Sequence, residues 1–248
     1  GERLGDLSAF AKVYCDAAFC SRLLRKYAGD IGRSAEKLET VLRWRQQHEK
    51  LLTTLRFEEA SDLRVVGFDR GERPILYQCC RNQMLTNTRG LDQYVVRMEQ
   101  AIAMMPPGVE KMTHIWDMHG LKPHLNMNPA AVLHLLAVLE GYFAGRLHEL
   151  IIVDMPRVAV FLKDAIWPAV PDGTRQKVRF LVMEEAVAHI QTECNETDSG
   201  NIRAVMLQNR DASTTLEIRR STWVHVACSA PARGEVRPAD DDMVVTRL

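Results

Sequence analysis

His114, Asp117, His119 and His124 fall within eleven positions, a compact group of potential metal ligands and acid–base side chains. A zinc hydrolase would need His-Glu-x-x-His on one helix, and this segment lacks it. His114 and Asp117 are three apart in a run that reads as a strand, so their side chains point to opposite faces. His119 and His124 sit in the loop Met118-His-Gly-Leu-Lys-Pro-His124 and are read as loop and pocket histidines. No metal or cofactor is expected. The six cysteines form no Cys-x-x-Cys pair. Reduced, mostly buried thiols in a cytoplasmic protein suit that spacing better than a disulfide framework or structural zinc. A phosphate loop, a dinucleotide-binding glycine turn and a Gly-x-Ser-x-Gly elbow are all missing. Asp198-Ser-Gly200 occurs once, in a polar run, and is not read as catalytic. No nucleophile or base has a partner, so a non-enzyme is expected. Thr174-Arg-Gln-Lys177 reads as the opening of a helix after Pro171-Asp-Gly173. Helix N-termini favour anions, although a solvated polar helix start is the plainer alternative.

These residues need a scaffold, and 248 residues with 46% hydrophobic and 26% charged side chains can bury one. The 32 basic and 32 acidic residues cancel, which argues against a polycation that clamps nucleic acid. No run reaches the ~18–20 apolar residues needed to cross a bilayer; the best, Ala130 to Leu139, is interrupted by His134. Peripheral attachment to a membrane stays open. The chain begins with Gly1 rather than Met and so reads as trimmed.

The first 60 residues read helical. Phe10, Val13, Tyr14 and Ala17 recur at helical spacing, as do Leu38, Val41, Leu42 and Arg45. Gly29 and Gly32 are read as the break and Ser34 as the cap of the next helix. Residues 22–50 hold eight Lys/Arg against four Asp/Glu, a local basic excess. From Leu63 the texture changes to strands: 63–68 and 74–79 around the turn Asp69-Arg-Gly-Glu72, then 112–117, 150–153 and 180–183. Helices alternate with them, one carrying Leu91, Val95, Met98, Ile102 and Met105, the next opening at Asn128-Pro129 and carrying Val132, Leu135, Leu136, Leu139 and Phe143. An α/β fold is predicted, a mixed or largely parallel sheet flanked by helices behind a helical N-terminal lobe. The expected divisions are 1–60 for the lobe, 61–205 for the sheet domain and 206–248 for a C-terminal extension. In that extension Thr214–Ile218 and Trp223–Val226 are read as strands and Asp240–Asp242 as a solvated tail. The helix from Pro156 to Trp167 is apolar on two sides, with Val158, Phe161, Leu162 and Ala165 on one and Val160 and Trp167 on another. Such a helix is either deeply buried or faces something greasy outside its own core.

The order of motifs resembles the CRAL-TRIO family of lipid-binding and lipid-exchange proteins. Arg22-Leu-Leu-Arg25 through Trp44-Arg45 is similar to the family's N-terminal helical pattern. Gly71-Glu-Arg-Pro74-Ile-Leu-Tyr77 resembles its Gly-Arg-Pro-Val-Tyr strand, and His114-Ile-Trp-Asp117-Met-His-Gly120 its strand ending in Asp-x-x-Gly. Ile151-Ile-Val-Asp-Met-Pro156 resembles Ile-Ile-Asn-Ala-Pro. Ile166-Trp-Pro168 with Thr174 and Lys177 resembles its Lys-Pro-Phe-Leu to Thr-x-x-Lys segment. The likeness runs roughly from residue 15 to 185. It implies a cytoplasmic lipid carrier with an apolar cavity, a movable gate helix at 156–167 and transient contact with membrane surfaces. The implied cavity residues are Met112, His114, Trp116, Val132, Leu136, Phe143, Ile152, Phe161 and Ile166; the implied gate residues are the six just named for that helix. Drawing two chains of ~14 methylenes from a bilayer costs on the order of 22 kcal/mol at ~0.8 kcal/mol each, so such a cavity has to be apolar over a comparable area.

Departures from the family pattern shape the expected ligand. Without gaps, the family's inositol-contacting Glu falls on Gly145 and its N-terminal Arg on Tyr27, whereas Thr174 and Lys177 are kept. The Ser and Thr that contact phosphatidylcholine fall on Met112 and His114, and the Pro-x-x-Phe-Gly-Gly ending is not visible. Tyr27, Thr174 and Lys177 are therefore the implied head-group positions, for a phospholipid or other hydrophobic ligand that is not tied to either of these two. The alternative is a small terpenoid-like ligand or a membrane-recruiting regulatory role.

Overall fold

The computed structural model describes residues 5–54 and 61–221. Helices α1 (Ala9–Val13), α2 (Ala17–Lys26), α3 (Ile31–Gln47) and α4 (Glu49–Thr54) build the N-terminal lobe. Asp16 and Asp30 cap α2 and α3, accepting from Phe19 N at 2.6 Å and Arg33 N at 3.0 Å. The run from Phe10 to Ala17 is thus split between two helices. Gly32 and Ser34 lie inside α3, and the Ser34 hydroxyl bonds back to the Asp30 carbonyl at 2.6 Å instead of capping. The break is made by Ala28 and Gly29, both with positive φ.

The sheet contains β1 (Arg64–Phe68), β2 (Pro74–Cys79), β3 (Met112–Asp117), β4 (Leu147–Val153) and β5 (Val178–Leu181), in that spatial order. The β1–β2 hairpin is antiparallel and β2 to β5 run parallel. Parallel strands laid down in chain order with right-handed crossovers put every connecting helix on one face. Accordingly α5 (Asn87–Ala103) and α7 (Pro129–Tyr142) cover the front, where Leu76, Met112, Tyr94, Val95, Met98 and Phe143 share a core. The short α6 (Pro123–Asn126) precedes α7. The back face receives no crossover helix and is closed by α10 (Met183–Glu193) and α11 (Glu196–Arg210), packed on Ile75, Tyr77, Ile115 and Ile151.

Strand register sorts the chemistry between the two faces. Leu76, His114 and Leu150 form one front row, and Gln78, Trp116, Ile152 and Phe180 the next. Asp117 lies on the back, fully buried, where Arg210 binds both its oxygens at 2.8 Å and Tyr77 Oη donates to it at 3.0 Å. Arg210 also reaches Asp154 at 2.6 Å, just past β4. Helix α11 therefore runs straight through position 205, and its end is anchored in the core. Beyond it, residues read as the strand 214–218 form helix α12 (Leu216–Ser221), with the Thr215 hydroxyl accepting from Ile218 N at 3.3 Å. Trp223–Val226 and Asp240–Asp242 lie outside the described residues.

Helix α8 (Arg157–Ile166) follows Pro156 and leads into a 3-10 turn at Trp167–Ala169 and the four-residue α9 (Asp172–Arg175). Lys177 comes after α9, not at the start of a helix. α8 leans on α7 and the 3-10 turn, with Ala159 as its buried residue.

Candidate functional site

A cavity of about 490 Å³ opens between α2, α5, α7, the front of β3 and β4, and the segment 171–177. Its inner wall is apolar: Met98, Trp116, Leu136, Leu139, Phe143 and Leu150. His114 and Tyr94 add one polar spot, hydrogen-bonded to each other through the Tyr94 hydroxyl and His114 Nδ1. Burial pushes the His114 pKa down to about 3, so its ring is neutral at physiological pH. Nothing in this wall can form an ion pair with a ligand; it suits hydrocarbon.

The mouth is the opposite. Arg22, Arg25 and Lys26, spaced to share one face of α2, line it together with Lys111, Arg146 and Lys177, and among the described residues the acidic side chains facing them are Glu110 and Glu140. Arg22 meets Glu110 at 3.5 Å and Arg25 pairs with the same carboxylate. Arg146 donates to the Glu110 carbonyl at 3.0 Å. Glu140 accepts from Lys26 Nζ at 2.9 Å and from the Thr174 hydroxyl at 2.6 Å. Burial would raise the Glu140 pKa, but those two hydrogen bonds and the nearby cations outweigh it and hold it below the usual value. Lys177 donates to the Leu147 carbonyl at 3.0 Å. Its pKa is lowered chiefly by burial and further by Lys111 and Lys26, with Glu140 opposing.

Of the residues expected in the cavity, His114, Trp116, Leu136 and Phe143 line it, as do Thr174 and Lys177 at the mouth. The others sit elsewhere. Met112 is fully buried in the front core under α5. Ile152 shares the Trp116 row but lies toward β5, and Val132 lies half-buried on α7. On α8 the expected inner stripe is turned outward: Phe161 is 78% exposed, Val158 and Ala165 are exposed, and Leu162 and Ile166 are half-buried without lining this cavity. Val160 is exposed as expected of the outer side, while Trp167 packs on Phe180 with ring centroids 5.6 Å apart.

The head-group positions also need correction. Tyr27 does not line the mouth; it packs on the lobe core with the Arg33 guanidinium 5.2 Å over its ring. The lobe's cations come from the preceding residues of α2, at Arg22, Arg25 and Lys26. Gly145 does line the mouth, with φ +78°, and a Cβ added at that position would lie 3.0 Å from Arg22 Cγ. A Glu there would be strained and would displace Arg22. The carboxylates at this mouth are Glu110 and Glu140. An ungapped comparison of positions hides both shifts; the basic excess in 22–50 is the one sequence signal that points to α2.

An α/β sheet domain with a helical lobe and a half-apolar, half-cationic cavity is the architecture of a lipid-binding domain. The family model for the CRAL/TRIO domain matches residues 63–199, and the chain belongs to that family. It is 23% identical over 180 residues to a CRAL-TRIO domain-containing protein of Schizosaccharomyces pombe, a match that covers 71% of this chain and 18% of that one. It is 26% identical over 122 residues to the phosphatidylinositol transfer protein PDR17 of Saccharomyces cerevisiae, covering 47% of this chain and 35% of that one. The chain thus corresponds to well under half the length of either relative. The crystal structure of Sfh5 superposes with a TM-score of 0.55 at 17% identity, covering 67% of this chain and 68% of that one, a likeness of fold. Lipid binding and transfer are the general business of this family. Among the described residues no helix is long and apolar enough to cross a membrane.

Proposed function

We propose that this chain is a non-catalytic carrier that takes one amphiphile into the cavity between α2, α5, α7 and the sheet, chain inward and anionic head at the mouth, and exchanges it at membrane surfaces. The observation that carries the reading is the division of one cavity into a hydrocarbon wall and a mouth of six cations against two carboxylates. Helix α8 supplies the moving part. Its exposed Val158, Val160 and Phe161 would be costly in water unless a bilayer receives them, and Ala159 is its one fully buried residue. Thr174 and Lys177 hold the head group, and Arg22 and Lys26 hold it from the lobe side.

The size of the cavity favours a second reading. About 490 Å³ lies within the ~300–1,000 Å³ range of sites for small molecules, so a single-chain or terpenoid-like ligand fits without any movement of α8. Vesicle-to-vesicle transfer of fluorescent lipids tests the two together. The carrier reading expects transfer of a two-chain anionic lipid, lost in Lys177→Ala. Transfer indifferent to Lys177→Ala would remove the mouth from the mechanism, and uptake of single-chain ligands alone would favour the compact site.

A further inference from the structure

Glu140 lies at the cavity mouth with both carboxylate oxygens engaged. Its Oε1 takes the Thr174 hydroxyl at 2.6 Å and its Oε2 the Lys26 ammonium at 2.9 Å, so both oxygens are engaged by groups that line the mouth. The second carboxylate, Glu110, is held in the same way by Arg22 and Arg25. The mouth therefore combines an excess of cations with acidic groups already committed to partners. We propose that Glu140 is a built-in stand-in for the ligand's head-group anion, and that the head group able to displace it is a phosphomonoester on a lipid. This rests on the carrier reading above and names its substrate class.

The charge arithmetic makes the choice. A phosphodiester bears one negative charge, no more than the Glu140 carboxylate it would displace from Lys26 and Thr174, and the displaced carboxylate stays tethered nearby. A phosphomonoester bears about −1.5 to −2 at pH 7 and offers three acceptor oxygens, so the exchange gains both charge and hydrogen bonds. A choline or ethanolamine ammonium would meet cations, with Glu110 and Glu140 already paired. Glu140 thus sets a threshold: it can be displaced by a head group carrying more charge than its own carboxylate.

The test is uptake of lipid from phosphatidylcholine vesicles doped with either phosphatidic acid or phosphatidylglycerol of the same acyl chains, using the full chain and its Glu140→Gln variant. Gln keeps the acceptor for Thr174 but loses the charge; Glu140→Ala repeats the test with both removed. The unmodified protein is expected to favour phosphatidic acid over phosphatidylglycerol by roughly tenfold, the worth of one charge-assisted hydrogen bond. Glu140→Gln should raise phosphatidylglycerol uptake by about the same factor and so narrow the preference. A fall in uptake of both lipids in Glu140→Gln and Glu140→Ala would make Glu140 a ligand contact and overturn the proposal, as would equal uptake of the two lipids by the unmodified protein. Uptake of no lipid at all would sink the carrier reading and this inference with it. Glycerol 3-phosphate, titrated by calorimetry, separates the sources of the phosphate. Weak binding relative to phosphatidic acid supports a lipid ligand, whereas equal binding would assign the site to a soluble ester and overturn the lipid assignment.

Discussion

At the scale of single residues, two positions expose how the cavity is kept in shape. His114 is buried among aromatic side chains and neutral, with its pKa pushed from 6.5 to about 3 by burial. The unfolded chain binds a proton at His114 as pH falls below 6.5, and the folded chain does not until near 3. Stability is therefore lost as pH falls through that window, by roughly 2 kcal/mol between pH 7 and 5 from this one group. Urea unfolding at the two pH values should show His114→Gln losing about that much less than the unmodified protein. Equal losses would mean that the ring is not held neutral. Gly145 is the second position. Its φ of +78° is strained for any side chain, and a Cβ would meet the Arg22 side chain at 3.0 Å, so Arg22 would have to shift. Gly145→Glu, which would complete the family's sequence pattern, should instead cost ~1–2 kcal/mol of backbone strain alone and lower the melting temperature by about 3–8 °C. An unchanged melting temperature would show that the turn can be redrawn to accept a Glu.

Helix α8 carries the prediction at the scale of elements. Its two apolar sides leave the sequence without a unique inner face: Val158, Phe161, Leu162 and Ala165 satisfy helical spacing as well as any other set. The spacing does not show which side meets the neighbours: in the structure α8 contacts α7, Ala159 is buried and Phe161 is exposed. Phe161→Glu is expected to leave the melting temperature within ~1–2 °C, since a surface change is usually within about ±0.5 kcal/mol, yet to weaken binding to vesicles several-fold. Ala159→Glu should unfold or strongly destabilise the domain, because it buries an unpaired carboxylate. A large melting shift from Phe161→Glu together with normal vesicle binding would make α8 an ordinary core helix. Strands are easier to read. A period of two places His114 and Asp117 on opposite faces whatever surrounds them, and the structure sends one to the cavity and the other to Arg210. The region after Asp211 misleads because Thr214, Thr215 and Ile218 look like strand residues, whereas the Thr215 hydroxyl caps a helix there.

At the scale of the molecule, chain order in the sheet decides where a cavity can form. All crossovers fall on the front, α5 fills the β1–β3 end, and the remaining front is left to α7 and α8, two helices that are apolar yet mostly unburied. That arrangement is legible as motif order along the chain. The cationic mouth is legible only at Thr174 and Lys177, because the rest is assembled from α2, residues 110–111, α7 and Arg146, segments far apart in sequence, and of the aligned positions Tyr27 lies off it while Gly145 lines it without a side chain. We propose that this assembled cavity holds one lipid by its chain and its anionic head. Native mass spectrometry of the protein after incubation with mixed anionic and zwitterionic vesicles tests it most directly, with Leu136→Trp, which fills the inner wall, as the control. One anionic lipid per chain is expected, absent from Leu136→Trp while that variant still melts cooperatively. A lipid-free protein, or a bound lipid that Leu136→Trp retains, would contradict the claim.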